Sequence, residues 1–85
     1  METSWNVTQS EYGDLLKELE QSISVDEKTD TAKKMGATVK WTYDGKTLTI
    51  TSVKRSIYTP ASIEQIETGI AKEIDSALEK MRNPA

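Results

Sequence analysis

The residue types that most often perform chemistry in proteins are scarce in this sequence. The 85-residue chain contains no histidine and no cysteine. This removes the usual general base at neutral pH, the thiol nucleophile and the commonest zinc ligands. One acidic cluster, Asp26, Glu27 and Asp30, lacks the alternating oxygen ligands and central glycine of a calcium loop. We therefore interpret it as a solvated charge run, and expect no catalytic residue, no metal site and no cofactor.

An alternating segment on either side of Asp44-Gly45 contains the clearest structural pattern. Asp-Gly between two alternating runs predicts a β-hairpin, here over about residues 37–53, with a type I′ turn in which both central residues have positive φ. A two-residue turn at this position pairs Trp41 with Leu48. One face of the hairpin is then apolar and carries Val39, Trp41, Leu48 and Ile50.

The other face of the hairpin is the candidate binding surface. It carries Thr38, Lys40, Thr42, Thr47, Thr49 and Thr51, with Arg55 near one end. Threonine is a good strand former, so one interpretation is a plain solvated face. The functional interpretation is a flat surface for a protein partner. Nucleic acid is disfavoured, because the face has no aromatic side chain for base stacking and too few cations to hold a phosphate backbone.

A first helix is predicted over about residues 9–22. Thr8 and Glu11 have the spacing of a capping box, in which each side chain accepts a hydrogen bond from the other residue's backbone N–H. The apolar residues that follow lie on one helical stripe: Tyr12, Leu15, Leu16, Leu19 and Ile23.

A second long helix is predicted over about residues 60–81. Thr59 can cap it with Pro60 at the first helical position, and Ser62 with Gln65 offers an alternative capping box one turn later. Its apolar stripe follows a 3.6-residue period, which favours packing on a sheet over a coiled coil. The stripe consists of Ile63, Ile66, Ile70, Ile74, Ala77, Leu78 and Met81.

Residues 24–36 permit two interpretations. Ser24 and Glu27 could form another capping box, with Gly36 as the residue that ends the helix. Against this, the segment contains two threonines and two aspartates of low helix propensity. We expect a short helix within about residues 26–35 that ends at Gly36, with a polar stretch around 26–30 at its start.

These elements predict one α+β domain, residues 1–85, in two layers. The N-terminal and C-terminal helices cover the apolar face of the hairpin, and its threonine face stays open. A two-stranded sheet has two unpaired edges, each a template for another strand. The first strand, Ala37 to Tyr43, carries few charges, so we expect a homodimer to form through this edge of the hairpin.

Charge and hydropathy limit the classes of partner. The net charge is −3, yet residues 36–58 carry one acidic and four basic side chains. No apolar run approaches the roughly 18 residues of a membrane span, and the first residues lack the pattern of a secretory signal. We expect a soluble, cytoplasmic chain with no membrane partner, and not an enzyme. The leading hypothesis is a non-catalytic protein-interaction module (adaptor, inhibitor or assembly factor) that acts through the hairpin. The alternative is a weak nucleic-acid or anion-binding module that uses Lys40, Lys54 and Arg55.

Overall fold

The computed structural model describes residues 3–34 and 36–83. Within these residues, five strands and two helices follow one another. They are β1 (Ser4–Asn6), α1 (Gln9–Leu19), β2 (Ser24–Asp26), β3 (Thr31–Lys34), β4 (Ala37–Tyr43), β5 (Thr47–Arg55) and α2 (Ile63–Arg82). The strands form one antiparallel sheet in the order β1-β5-β4-β3-β2. The predicted α+β class is confirmed, with a sheet of five strands where the sequence predicted two.

Both helices begin at a predicted capping box. Thr8 caps α1 with Glu11, and Ser62 caps α2 with Gln65. The alternative start of α2 is therefore the right one, and the predicted start at Pro60 is wrong: the Thr59 hydroxyl accepts a hydrogen bond from the Ser56 backbone N–H instead. Helix α1 ends at Leu19, three residues before the predicted end, and Ile23 is nevertheless buried.

The predicted hairpin exists, but its register is shifted by two residues. Tyr43 lies opposite Leu48, and Trp41 lies opposite Ile50. The turn is not type I′, because of its residues only Gly45 has positive φ, at 97°. The Asp44 carboxylate accepts hydrogen bonds from the backbone N–H groups of Lys46 and Thr47, which moves the tip of the hairpin to residues 45–46. This shift of two residues keeps the side chains of β4, and those of β5 as far as Ile50, on their predicted faces, since side chains alternate with a period of two.

A β-bulge interrupts the same hairpin. The register changes between Lys40 and Trp41, so that Lys40 pairs with Ser52 and Thr51 is the extra residue of β5. The Thr51 hydroxyl donates a hydrogen bond to the Lys40 carbonyl oxygen at 3.3 Å. Beyond the bulge Val39 pairs with Val53, so the remainder of β5 again presents an apolar residue to the helices.

The predicted short helix over residues 26–35 is wrong, because this segment forms two further strands. Strand β3 pairs with β4, and β2 pairs with β3. Asp30 with φ 53° and Gly36 with φ 81° occupy the two turns in the left-handed conformation. The backbone groups of β4 on this side need partners, and β3 supplies them. The described residues of this segment offer a helix little to bury, since Ala32 is buried and Val25 only partly buried.

The core lies between the inner face of the sheet and the two helices. Both tryptophans are buried in it. Trp41 Nε1 donates to the Tyr12 hydroxyl of α1 at 2.9 Å, and Trp5 Nε1 donates to the Asp75 carboxylate of α2 at 2.7 Å. Trp5 belongs to β1, a strand that was not predicted, and it pairs with Leu48 of β5. The buried stripes of both helices agree with the prediction, except that Ile63 is exposed.

The first strand of the hairpin, β4, is not at an edge of the sheet. Strand β4 is hydrogen-bonded to β3 on one side and to β5 on the other, so the expectation that Ala37–Tyr43 is an edge is wrong. The outer strands are β1 and β2, each three residues long. Very short edge strands are a common protection against pairing with another chain.

Candidate binding surface

The face of the sheet that points away from the helices consists almost entirely of hydroxyl and lysine side chains. We call it the open face. It is formed by Ser4, Asn6, Ser24, Asp26, Thr31, Lys33, Thr38, Lys40, Thr42, Thr47, Thr49, Ser52 and Lys54. No apolar residue belongs to this set. The structure therefore brings five of the seven predicted site residues together here: Thr38, Lys40, Thr42, Thr47 and Thr49.

The other two predicted site residues lie elsewhere. Thr51 is the extra residue of the bulge, and its hydroxyl bonds to the backbone. Arg55 pairs with the buried Ala37, which places its side chain on the helix side of the sheet. Its guanidinium donates to the carbonyl oxygens of Thr59 and Ala61 at 3.5 and 3.0 Å. The bulge reverses the alternation of β5, and this is the physical reason why Arg55 leaves the open face.

Three lysines from adjacent strands lie close together on the open face. Lys33 of β3 and Lys54 of β5 both pair with Thr38 of β4, and Lys40 lies two residues further along β4. We call Lys33, Lys40 and Lys54 the lysine triangle. Within residues 3–34 and 36–83, no carboxylate lies within 4 Å of these ammonium groups. Lys33 is not among the predicted site residues, because the sequence predicts a helix at that position.

The helix layer has the opposite charge. Helix α1 carries three acidic side chains and one basic, and α2 carries five acidic and three basic. The open face has three lysines and one carboxylate, that of Asp26. A chain of net charge −3 therefore presents a basic sheet face and an acidic helix layer on opposite sides. Such a separation of charge orients an approaching partner of either sign.

Among the described residues, the most exposed large apolar side chains lie just after β5, at the end of the hairpin opposite its turn. Ile57 is 90% exposed and Tyr58 is 87% exposed, in the loop of residues 56–62 that joins β5 to α2. We call Ile57 and Tyr58 the apolar tip. The tip is not among the predicted site residues. Two adjacent large apolar residues in a loop, outside any periodic pattern, were the signal for it.

Hydrogen bonds hold the backbone behind the apolar tip. The Ser56 hydroxyl accepts from the Tyr58 backbone N–H at 3.2 Å, and the Thr59 backbone N–H donates to the Ser56 carbonyl oxygen at 3.1 Å. Thr59 is buried, and it also lies against Gly36, where an added Cβ would be 3.1 Å from its hydroxyl oxygen. Arg55 closes the base of the loop through its two carbonyl contacts. The tip is therefore presented by a braced turn, which lowers the entropy lost when it binds.

A cleft of about 580 Å³ lies at the other end of the hairpin. Its one guanidinium, that of Arg82, bonds to both carboxylate oxygens of Glu11 at 2.8 and 3.2 Å and to the Asn6 carbonyl at 2.6 Å. These bonds from Arg82, with a further one from the Thr8 backbone N–H, lower the pKa of Glu11 to about 2. Glu11 is therefore ionised near neutral pH and cannot act as a proton donor there. The cleft shows a structural ion pair and a helix cap.

The described part of the chain holds no group of three potential metal ligands. The Asp26 carboxylate accepts from the Lys28 backbone N–H at 2.9 Å, which is the hydrogen bond of a turn. Among the described residues no helix is long and apolar enough to cross a membrane.

Comparisons with protein-family models, with curated proteins and with solved structures found no match to this chain.

Proposed function

We propose that this chain is a non-catalytic protein-interaction module that binds its partner with the end of the β4–β5 hairpin. The observation that carries the proposal is the apolar tip. Ile57 and Tyr58 are 90% and 87% exposed, while the large apolar residues of both helix stripes, apart from Ile63, lie in or against the core. Exposed aromatic and aliphatic side chains on a preorganised loop are the usual anchors of protein interfaces.

The chemistry of the partner follows from what surrounds the tip. Lys54 and Arg55 immediately precede the loop, and both are exposed. An apolar pocket rimmed by carboxylates would accept the two apolar side chains and pair with the two cations. Tyrosine suits such a pocket because it buries a large area while its hydroxyl keeps a polar contact.

A binding measurement with matched variants tests this proposal. The partner is first identified by co-purification from the native cells and is then purified. We expect the double variant Ile57→Ser/Tyr58→Ser to bind it at least about 30-fold more weakly, since a hot-spot side chain contributes about 2 kcal/mol or more. Tyr58→Phe is the control, because it keeps the apolar surface. Equal affinity of the wild-type chain and the double variant would refute the proposal.

Self-association is one form that this interaction can take. The predicted dimer contact used β4 as an edge strand, and β4 lies inside the sheet. A second copy could still bind through the apolar tip. Sedimentation of the wild-type chain against Ile57→Ser/Tyr58→Ser decides whether the partner is a copy of the same chain. The cytoplasmic location expected from the sequence also remains part of this proposal, and cell fractionation tests it.

A further inference from the structure

We infer that the lysine triangle on the open face binds an acidic polypeptide segment. The inference rests on the proposed function, because it names the chemical class that the sheet recognises in a protein partner. The carrying observation is the charge of the face: three lysines on adjacent strands, with no described carboxylate within 4 Å of their ammonium groups.

The register determines the spacing of the three lysines. Lys33 and Lys54 lie on either side of β4, so their Cα atoms are about 10 Å apart, twice the distance between neighbouring strands. Lys40 lies two residues along β4 from Thr38, which places it about 8 Å from each of the other two. An extended polypeptide presents every second side chain on one face, at intervals of about 7 Å. Flexible lysine stems absorb the difference between these spacings.

The surroundings of the triangle favour carboxylates. Thr38 lies between Lys33 and Lys54, and Thr31 and Ser52 flank Lys40 in the neighbouring strands. The hydroxyls of Thr38 and Ser52 can donate hydrogen bonds to carboxylate oxygens that an ammonium group leaves free, whereas that of Thr31 already bonds to the Thr29 hydroxyl at 2.7 Å. The acidic helix layer lies on the far side of the sheet, so it disfavours the approach of an acidic segment from the helix side.

An acidic polypeptide fits this face better than a nucleic acid does. The open face has no aromatic side chain on which a base could stack. Three phosphate contacts give only a shallow salt dependence and weak binding, whereas nucleic-acid binders usually extend a basic stripe well beyond this. Carboxylates on a strand-like segment need no base readout.

The test uses fluorescence anisotropy at low salt with a labelled oligoglutamate peptide, an oligoglutamine peptide of equal length and a single-stranded DNA of equal charge. The variant Lys33→Gln/Lys54→Gln removes two corners of the triangle. Its control, Lys17→Gln/Lys72→Gln, removes the same charge from the exposed helix layer. Circular dichroism verifies that both variants are folded.

We expect the wild-type chain to bind oligoglutamate and not oligoglutamine, and the triangle variant to bind about five- to tenfold more weakly, as two exposed ion pairs allow. The control should change affinity by less than about twofold. No binding of oligoglutamate, or an equal loss in both variants, would overturn the inference. Tighter binding of the DNA would reassign the face to nucleic acid.

A further variant separates this inference from the proposed function. Ile57→Ser/Tyr58→Ser leaves the triangle intact, so it should bind oligoglutamate as the wild-type chain does. If oligoglutamate does not bind but the tip variant still loses the protein partner, the lysine triangle is refuted and the interaction module stands.

Discussion

The two faces of the sheet are formed by the same strands but have nothing in common chemically. The inner face carries Trp5, Val39, Trp41, Leu48 and Ile50, all buried against the helices. The open face carries hydroxyls and lysines. At the bulge at Thr51 the alternation of β5 reverses, so its side chains beyond this point change faces relative to a regular strand. The inner face is fixed by packing, since it has to fill a core between two helices. The open face does not have to fill a core, so packing does not determine its residues and they are available for binding.

The largest effect should come from removing the centre of the packed face. Trp41→Ala and Ile70→Ala should each lower the free energy of unfolding by roughly 2–5 kcal/mol, because each empties a large buried site. Trp41 is 5% exposed and Ile70 is 2% exposed. Denaturant melts measure the change. Losses below about 0.5 kcal/mol for both variants would mean that the helices do not pack on this face as described.

A substitution in the turn between β4 and β5 should lower the free energy of unfolding by a smaller amount. Gly45 has φ 97°, and a Cβ added there would be 3.3 Å from the Gln9 side-chain nitrogen. Gly45→Val should therefore cost more than about 1 kcal/mol, since a β-branched residue resists positive φ. Gly13→Ala is the control, because nothing lies within 4 Å of a Cβ added there. If the valine variant melts like the wild-type chain, the assigned turn is wrong.

Acid should weaken the contact that joins the start of α1 to the end of α2. The pKa of Glu11 is lowered from 4.5 to about 2, first by the hydrogen bonds from Arg82. A carboxyl whose pKa is lower in the folded state stabilises the fold above its unfolded pKa, and this contribution is lost as pH falls from about 4.5 to about 2.

The variant Glu11→Gln isolates this term. Glutamine keeps the capping box at the third helical position but removes the charge. Unfolding curves measured across the acid range should show a smaller loss of stability for the variant than for the wild-type chain. Parallel losses in the two chains would show that the Glu11–Arg82 pair does not contribute to the pH dependence.

The open face should give the smallest change in stability. Lys40 is exposed and has no ion pair among the described residues. Lys40→Gln should therefore change the free energy of unfolding by less than about 0.5 kcal/mol, as is usual for a surface substitution. A thermal melt compares it with Trp41→Ala. A loss above about 1 kcal/mol would show that the open face also has a packing role.

The sequence predicted the elements in which local chemistry and burial agree. The capping box at Thr8 and the apolar stripes of both helices follow from short-range rules, and the structure confirms them. Between the turn and the bulge, the faces of the hairpin were also right despite the wrong register, because the error there was two residues. The predicted type I′ turn was wrong because of Asp44. Its side chain accepts hydrogen bonds from the following backbone N–H groups, and its backbone does not adopt positive φ.

Long-range pairing accounts for what the sequence could not predict. Strand β1 lies beside β5 although the two are far apart in the chain, and no local pattern announced that contact. Strands β2 and β3 contain few apolar residues, so their formation depends on the backbone needs of β4. The lysine triangle could not be predicted for the same reason, since Lys33 lies in β3, where the sequence predicted a helix.

Site-specific photo-crosslinking in the native cells tests the central claim most directly. A benzophenone amino acid replaces Tyr58 at the apolar tip or, as the control, the exposed Gln21 just after α1. The account predicts a discrete adduct with one protein from position 58, its loss when Ile57→Ser is added, and no such adduct from position 21. No adduct from position 58, or the same adducts from both positions, would contradict the claim that the end of the hairpin binds a protein partner.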